Sequence, residues 1–140
     1  MVRILFKLAG KQHFDVHFMF LSHRKKEDYK KQVLAQQFKR ERLVALGPDL
    51  SAAHFLIARG CKVRFRDQDK WLKQTEIGKY PKELPLSYEA GYYVEAIDAS
   101  DSSLIYEGIT SIRNLVFLKH LNVSYCMNID AWCMDRITGE

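Results

Sequence analysis

The sequence predicts an α/β protein in which an N-terminal helical and αβ cap is followed by about two copies of a repeated unit. The chain has 140 residues, 47% of them hydrophobic, which suits one globular unit with its own core. Helical periodicity dominates residues 27–57, and aliphatic residues after position 92 recur at a constant interval. These observations divide the chain into an N-terminal extension at 1–23, a capping domain at 24–91 and repeats at 92–140.

Cysteine content and hydropathy exclude two classes of protein. The three cysteines are an odd number without paired spacing, so we expect reduced thiols rather than a disulfide scaffold. Charged residues interrupt every apolar run well before the ~20 residues that a membrane-spanning helix needs. The sequence therefore predicts a soluble or peripheral protein.

Positive charge is concentrated in one segment. The formal net charge is +5, and between Arg24 and Arg42 eight basic residues face three acidic ones. Such a segment attracts nucleic acid, anionic lipid or an acidic protein face, although a solvated helix face explains the pattern equally well. The candidate partner-binding residues are Lys25, Lys26, Lys30, Lys31, Arg40 and Arg42.

The first residues form a basic apolar segment. Arg3, Lys7 and Lys11 recur every four positions, and no acidic residue precedes Asp15. This predicts an amphipathic helix of the kind found in mitochondrial presequences. The absence of serine before Ser22 departs from such peptides, so an uncleaved N-terminal extension is the alternative.

Two helices and a strand are predicted in the capping domain. A helix over 27–46 has Val33, Leu34, Phe38 and Val44 as its apolar positions. The next two residues, Gly47 and Pro48, end it and begin a second helix that Gly60 caps. Alternation over 61–66 then predicts a strand. The apolar stripe of the second helix comprises Ala52, Ala53, Leu56 and Ile57, and we expect His54 beside it to be a hydrogen-bonded core histidine.

The stretch from 67 to 91 is irregular, because Gly78, Pro81 and Pro85 interrupt any periodicity. Its one large apolar anchor is Trp71. We expect this side chain to be buried and to pin the loop.

The C-terminal third repeats itself at an offset of 24 residues, which lies in the range of leucine-rich repeats. Residues two apart in a short strand point to one face, so each copy sends two aliphatic side chains into the core together. Cys126 fills the asparagine or cysteine position of the turn. An ordinary βαβ unit is the alternative. The predicted repeat core comprises Ile97, Ala99, Leu121, Val123, Cys126 and Ile129.

If the array stops after these copies, the strand carrying Leu121 and Val123 has an unpaired outer edge. We therefore expect the chain to self-associate or to accept a strand from a partner.

No combination of residues predicts catalysis or a metal site. His13 and His17 have helical spacing, but neither His23 nor any other residue supplies a third ligand at a recognisable spacing. Cys61 follows a helix end, where the macrodipole raises the pKa of a thiol. No nucleophile elbow or phosphate-binding glycine loop is present in the sequence. We expect a non-enzymatic protein with no small-molecule substrate.

Several separate blocks of sequence carry a family resemblance. They lie at 46–49 (LGPD), 60–65 (GCKVRF), 94–101 (VEAIDASD) and 130–137 (DAWCMDRI), together with Trp71. In this order the blocks resemble the family of the distal membrane-arm assembly complex protein and mitochondrial ATP synthase coupling factor B. The resemblance extends from about 43 to 137.

The resemblance implies a non-catalytic mitochondrial protein on the matrix side of the inner membrane, where it helps to assemble the distal arm of respiratory complex I. The alternative within the family is a regulator of proton coupling in ATP synthase; an alternative of another class is a basic nucleic-acid-binding protein. The partners implied are subunits or assembly factors of a respiratory complex, with an anionic membrane surface as a further candidate. Family members continue for further repeats beyond the position of Glu140.

Factor B is also associated with magnesium held by main-chain carbonyls. Gly47 matches one of the two segments concerned, but the loop after Trp71 differs in length and sequence. No cofactor is therefore predicted for this chain.

Overall fold

A computed structural model describes residues 3–5 and 23–133, with the side chains of Ile4, Leu5, His23, Arg24 and Lys25 left undescribed. The fold is mixed α/β. In chain order its elements are β1 (Arg3–Leu5), α1 (His23–Gln36), α2 (Arg40–Ile57), β2 (Lys62–Phe65), β3 (Val94–Asp98), α3 (Tyr106–Ile109), a 3₁₀ turn (Thr110–Ile112) and β4 (His120–Asn122). Among the described helices, none is long and apolar enough to cross a membrane.

The four described strands form one sheet in the order β1-β4-β3-β2. Strands β3 and β4 are parallel, and Ile97 lies opposite Leu121. The two strands of the predicted repeat are therefore neighbours in register. Strand β2 adds antiparallel to β3, so that Val63 continues the same aliphatic row.

The second half of α2 packs its apolar stripe against the sheet, and every residue from Leu50 to Ile57 is buried. His54 is buried there, and its Nε2 lies 2.7 Å from the carbonyl oxygen of Pro85, as expected of a core histidine. At the start of this segment Asp49 accepts a 2.8 Å hydrogen bond from the amide of Val94. Burial nevertheless raises the pKa of the Asp49 carboxyl above its usual range. The repeat residues Ile97, Ala99, Leu121, Val123, Cys126 and Ile129 all belong to the same core.

The predicted helix over 27–46 was wrong, because the chain forms two helices there. α1 ends at Gln36, and Lys39 has an extended backbone before α2 begins. The reason is a tertiary contact: the buried Gln36 side chain donates to the carbonyl of Ser103 (2.7 Å) and accepts from the amide of Ile105 (3.0 Å). The expected break at Gly47 is confirmed: its φ of +76° and ψ of 170° are not helical, and they separate two helical segments within α2.

Trp71 is 41% exposed, so the expectation that it pins the loop was wrong. Its neighbour Leu72 is buried and exchanges backbone hydrogen bonds of 2.9 and 2.8 Å with Val63. Adjacent residues of an extended segment point to opposite sides, so burying Leu72 directs Trp71 outward.

The expectation of an unpaired β4 edge was also wrong. β1 pairs with β4 in parallel, and the amide of Arg3 donates to the carbonyl of Lys119 at 2.8 Å. Residues 3–5 are thus a strand, not the predicted helix, because pairing satisfies backbone groups that an open edge leaves unbonded. The remaining residues of the presequence hypothesis, with His13 and His17, lie outside the described residues.

Candidate interaction surfaces

Two exposed surfaces carry the polar and aromatic groups of interest. The first, the junction surface, is formed by the exposed residues between Lys26 and Val44 on α1, the connection and the start of α2. Of the predicted basic residues, Lys26, Lys30, Lys31 and Arg40 are exposed here and Arg42 is half-buried, whereas Lys25 lies in α1 with its side chain outside the described set.

Large apolar side chains are exposed among these charges. Leu34 is 64%, Phe38 45% and Val44 78% exposed. These residues are apolar positions of the helix predicted over 27–46, and such positions were expected to be buried. The buried residue at the end of α1 is instead Gln36. Because the helix ends at this glutamine, residues beyond it no longer follow the predicted periodicity.

The second surface, the sheet surface, was missed by the sequence interpretation. It consists of Lys62, Arg64, Asp98, His120 and Asn122, which register and alternation place on one face of the sheet, together with Trp71. The irregular loop that supplies Trp71 has no periodicity, so its position over the sheet could not be predicted. The one available signal was in β2, where basic residues (Lys62, Arg64) alternate with apolar ones (Val63, Phe65).

One row of this surface is a polar ladder across three strands. Asp98 Oδ1 accepts hydrogen bonds from Asn122 Nδ2 (3.1 Å) and from the amide (3.1 Å) and hydroxyl (2.6 Å) of Ser100. Lys62 Nζ lies 3.8 Å from Asp98 Oδ2. The ladder fixes the end of β3 against β4.

The next row contains a guanidinium beside an exposed indole. Arg64 lies 5.6 Å from the Trp71 ring centroid and bonds Glu95 through Nη2 at 3.2 Å. Glu95 also accepts a 2.8 Å hydrogen bond from Lys119, which with the nearby cationic groups lowers the pKa of the Glu95 carboxyl. In the described part of the chain no acceptor meets the buried Nε of Arg64.

A cavity of about 450 Å³ opens beside this row. An exposed indole, cationic groups and hydrogen-bonding amides around a recess are features of protein-binding hot spots. Across the described ranges no group of three histidine, cysteine or acidic residues is placed to hold a metal ion. The cavity is lined by Arg3, Trp71, Ile97, Asp98, His120, Leu121 and Asn122.

The cysteines have structural surroundings. Cys126 Sγ donates to the carbonyl of Ala99 (3.0 Å) and lies 3.6 Å from Ser102 Oγ, its counterpart in the first copy. Burial raises the pKa of Cys61 to about 11. Burial also raises the pKa of the half-buried Cys133. Thiols in this state are poor nucleophiles.

Comparison with known proteins finds relatives of two kinds. Distal membrane arm assembly component 2 of Drosophila melanogaster is 38% identical over 104 residues, covering 74% of this chain and 36% of the fly protein. Mitochondrial ATP synthase subunit s is 28% identical in Bos taurus and 32% in Mus musculus, over 98 residues that cover 70% of this chain and 46% of each relative. The chain thus spans less than half the length of these relatives. No protein-family model matches it.

Homology over 74% of its length makes the chain a member of the family of distal membrane arm assembly component 2 and mitochondrial ATP synthase subunit s.

Proposed function

We propose that the chain is a non-catalytic scaffold that helps to assemble the distal membrane arm of respiratory complex I on the matrix side of the mitochondrial inner membrane. The single observation that carries the proposal is the 38% identity to the fly assembly component. The contact surfaces and buried thiols described above support a binding role over an enzymatic one.

The two 24-residue copies are, in this proposal, two stacked leucine-rich repeats, and β1 covers the outer edge of the second. Support comes from the parallel register of β3 and β4 and from Cys126, whose thiol bonds the turn of the preceding copy. Stacked repeats present a continuous sheet face to partners.

The sheet surface is the proposed partner site. Lys62, Arg64 and His120 favour an acidic segment of the partner. The exposed Trp71 supplies the apolar anchor.

Affinity purification from mitochondria tests this role. The tagged chain should recover subunits or assembly intermediates of the complex I membrane arm, and Arg64→Glu combined with Trp71→Ala should reduce the recovery at least about tenfold. The matched control is Lys73→Glu with Ile77→Ala, two exposed residues of the 67–91 loop. Equal recovery with both variants would contradict the proposed site.

A second candidate is regulation of proton coupling in ATP synthase, which the identity to subunit s favours. In the same purification it predicts ATP synthase subunits in place of complex I subunits. A nucleic-acid-binding role would instead give recovery that nuclease treatment abolishes.

A further inference from the structure

We propose that the junction surface attaches the chain to an anionic lipid bilayer. The surface lies on α1 and the first half of α2 and shares no residue with the sheet surface. The inference therefore goes beyond the scaffold role and stands on different residues.

Three large apolar side chains are exposed within the eleven residues from 34 to 44. Leu34, Phe38 and Val44 come from the end of α1, the connection and the first turns of α2. Large apolar side chains exposed to water mark surfaces that meet a protein or a membrane. Leucine and phenylalanine are the side chains that interfacial helices insert at the boundary between headgroups and acyl chains.

Basic residues are placed near these apolar side chains on both helices. Lys30 and Lys31 precede Leu34 by four and three residues in α1, so they lie on its side of the helix. Arg40 stands in the same relation to Val44 in α2. Between 26 and 45 there are six basic and three acidic residues, and Glu27 is bonded to Lys30. Basic residues that neighbour exposed apolar side chains on the same helices complement an anionic headgroup layer over an acyl core.

The end of α1 is held in place by hydrogen bonds to the rest of the fold. The buried Gln36 side chain bonds Ser103 and Ile105, in the chain before α3. Arg59 donates to the carbonyls of Ala35 and Phe55, and its guanidinium lies 3.8 Å from the Phe55 ring centroid. These contacts order the helix that carries Leu34 before any partner binds, which lowers the entropic cost of binding.

A bilayer fits this surface better than RNA does. Proteins that bind single strands interleave aromatic side chains with basic ones so that successive bases stack. Here the aromatics are Tyr29 and Phe38, which are nine positions apart, and Phe38 lies beyond the end of α1. The most exposed apolar groups are the aliphatic Leu34 and Val44, which give bases no stacking face.

Vesicle sedimentation tests the proposal on the full chain. Vesicles of phosphatidylcholine with about one-third phosphatidylserine should bind it, and phosphatidylcholine alone should not. Lys30→Glu with Lys31→Glu should lower the partition coefficient at least about tenfold, since each basic residue near an anionic surface contributes roughly a fivefold factor. The triple variant Leu34→Ser, Phe38→Ser and Val44→Ser should lower it by a similar factor at unchanged charge.

Matched controls lie elsewhere on the surface. Lys73→Glu with Lys82→Glu makes the same change in charge, and Ile77→Ser with Leu86→Ser removes two apolar side chains that are more exposed than those of the triple variant. Both should bind vesicles like the unaltered chain, as should Arg64→Glu with Trp71→Ala, which tests the scaffold role instead. Equal binding to neutral vesicles, equal losses in the controls, or full binding by the serine triple variant would each overturn the proposal.

Discussion

Aliphatic side chains are buried in the repeat region and exposed at the junction surface. In the repeat region aliphatic side chains such as Ile97 and Leu121 are almost fully buried, and polar groups bond one another along the strands. At the junction the buried residue is a glutamine, whereas a leucine and a valine face solvent. The difference indicates that packing in the core determines the first region, whereas the exposed apolar side chains of the second contribute nothing to the core.

The largest expected effect is the difference in stability between two single variants that carry the same leucine-to-aspartate substitution, one in each region. Leu121→Asp buries an unpaired charge between strands and should destabilise the fold by about 4 kcal/mol or more, which is enough to unfold many domains. Leu34→Asp should change the free energy of unfolding by less than about 0.5 kcal/mol, because that side chain is exposed. Urea denaturation of both variants measures the difference. Similar losses would mean that Leu34 is packed in solution.

The next effect concerns the contact that joins the two regions. A Cβ at Gly108 would lie 2.6 Å from Gln36 Oε1 and 2.9 Å from Phe55 Cζ, so Gly108→Ala should destabilise the fold by about 1–3 kcal/mol. Gln36→Ala alone should also destabilise the fold, because it removes the hydrogen bonds to Ser103 and Ile105. The loss in the double variant should be smaller than the sum of the two single losses, because the clash with Gln36 Oε1 is then absent. Thermal melting of the three variants tests the contact. An unchanged melting temperature for Gly108→Ala would contradict the docking of α1 described above.

Thiol labelling should separate the two buried cysteines, Cys61 and Cys126, from the half-buried Cys133. With its pKa near 11, Cys61 should hold about a hundredfold less thiolate at neutral pH than an ordinary cysteine. Cys126 is shielded beneath its turn, whereas Cys133 is half-buried. Native alkylation followed by mass spectrometry should modify Cys133 first and the other two only with unfolding. Rapid native labelling of Cys126 would contradict the packed turn.

The smallest expected effect is on the pH dependence of the free energy of unfolding, through the Glu95 carboxyl beside the sheet surface. The folded-state pKa of Glu95 is lowered by Lys119, so its contribution to stability is present above the unfolded-state pKa and is lost as pH falls through the folded value. In Glu95→Gln the free energy of unfolding should depend less steeply on pH in the acidic range. Denaturation of both proteins between about pH 3 and 6 provides the comparison. Identical slopes would show that the ion pair does not form in solution.

The sequence predicted those elements in which the spacing of apolar residues matches the face that packs in the core. The constant offset anticipated the pairing of Ile97 with Leu121, and the stripe of α2 anticipated the core around His54. The misses share one physical cause, which is tertiary contact between distant segments. Burial of Gln36 by the chain near Ile105 ends α1 early, and the bridge between Leu72 and Val63 directs the adjacent tryptophan outward. The pairing of β1 with β4 likewise depends on contacts that no local pattern encodes.

The central structural claim is that the two copies stack in register, one offset apart. A disulfide test measures this most directly: in a Cys61→Ser background, Ser102→Cys places a thiol where the hydroxyl lies 3.6 Å from Cys126 Sγ. Mild oxidation and mass spectrometry should then find the introduced thiol joined to Cys126 within one chain. The neighbouring exposed variant Ser103→Cys should stay unlinked. Failure of Ser102→Cys to cross-link, or equal cross-linking by Ser103→Cys, would contradict the register and with it the stacked repeats.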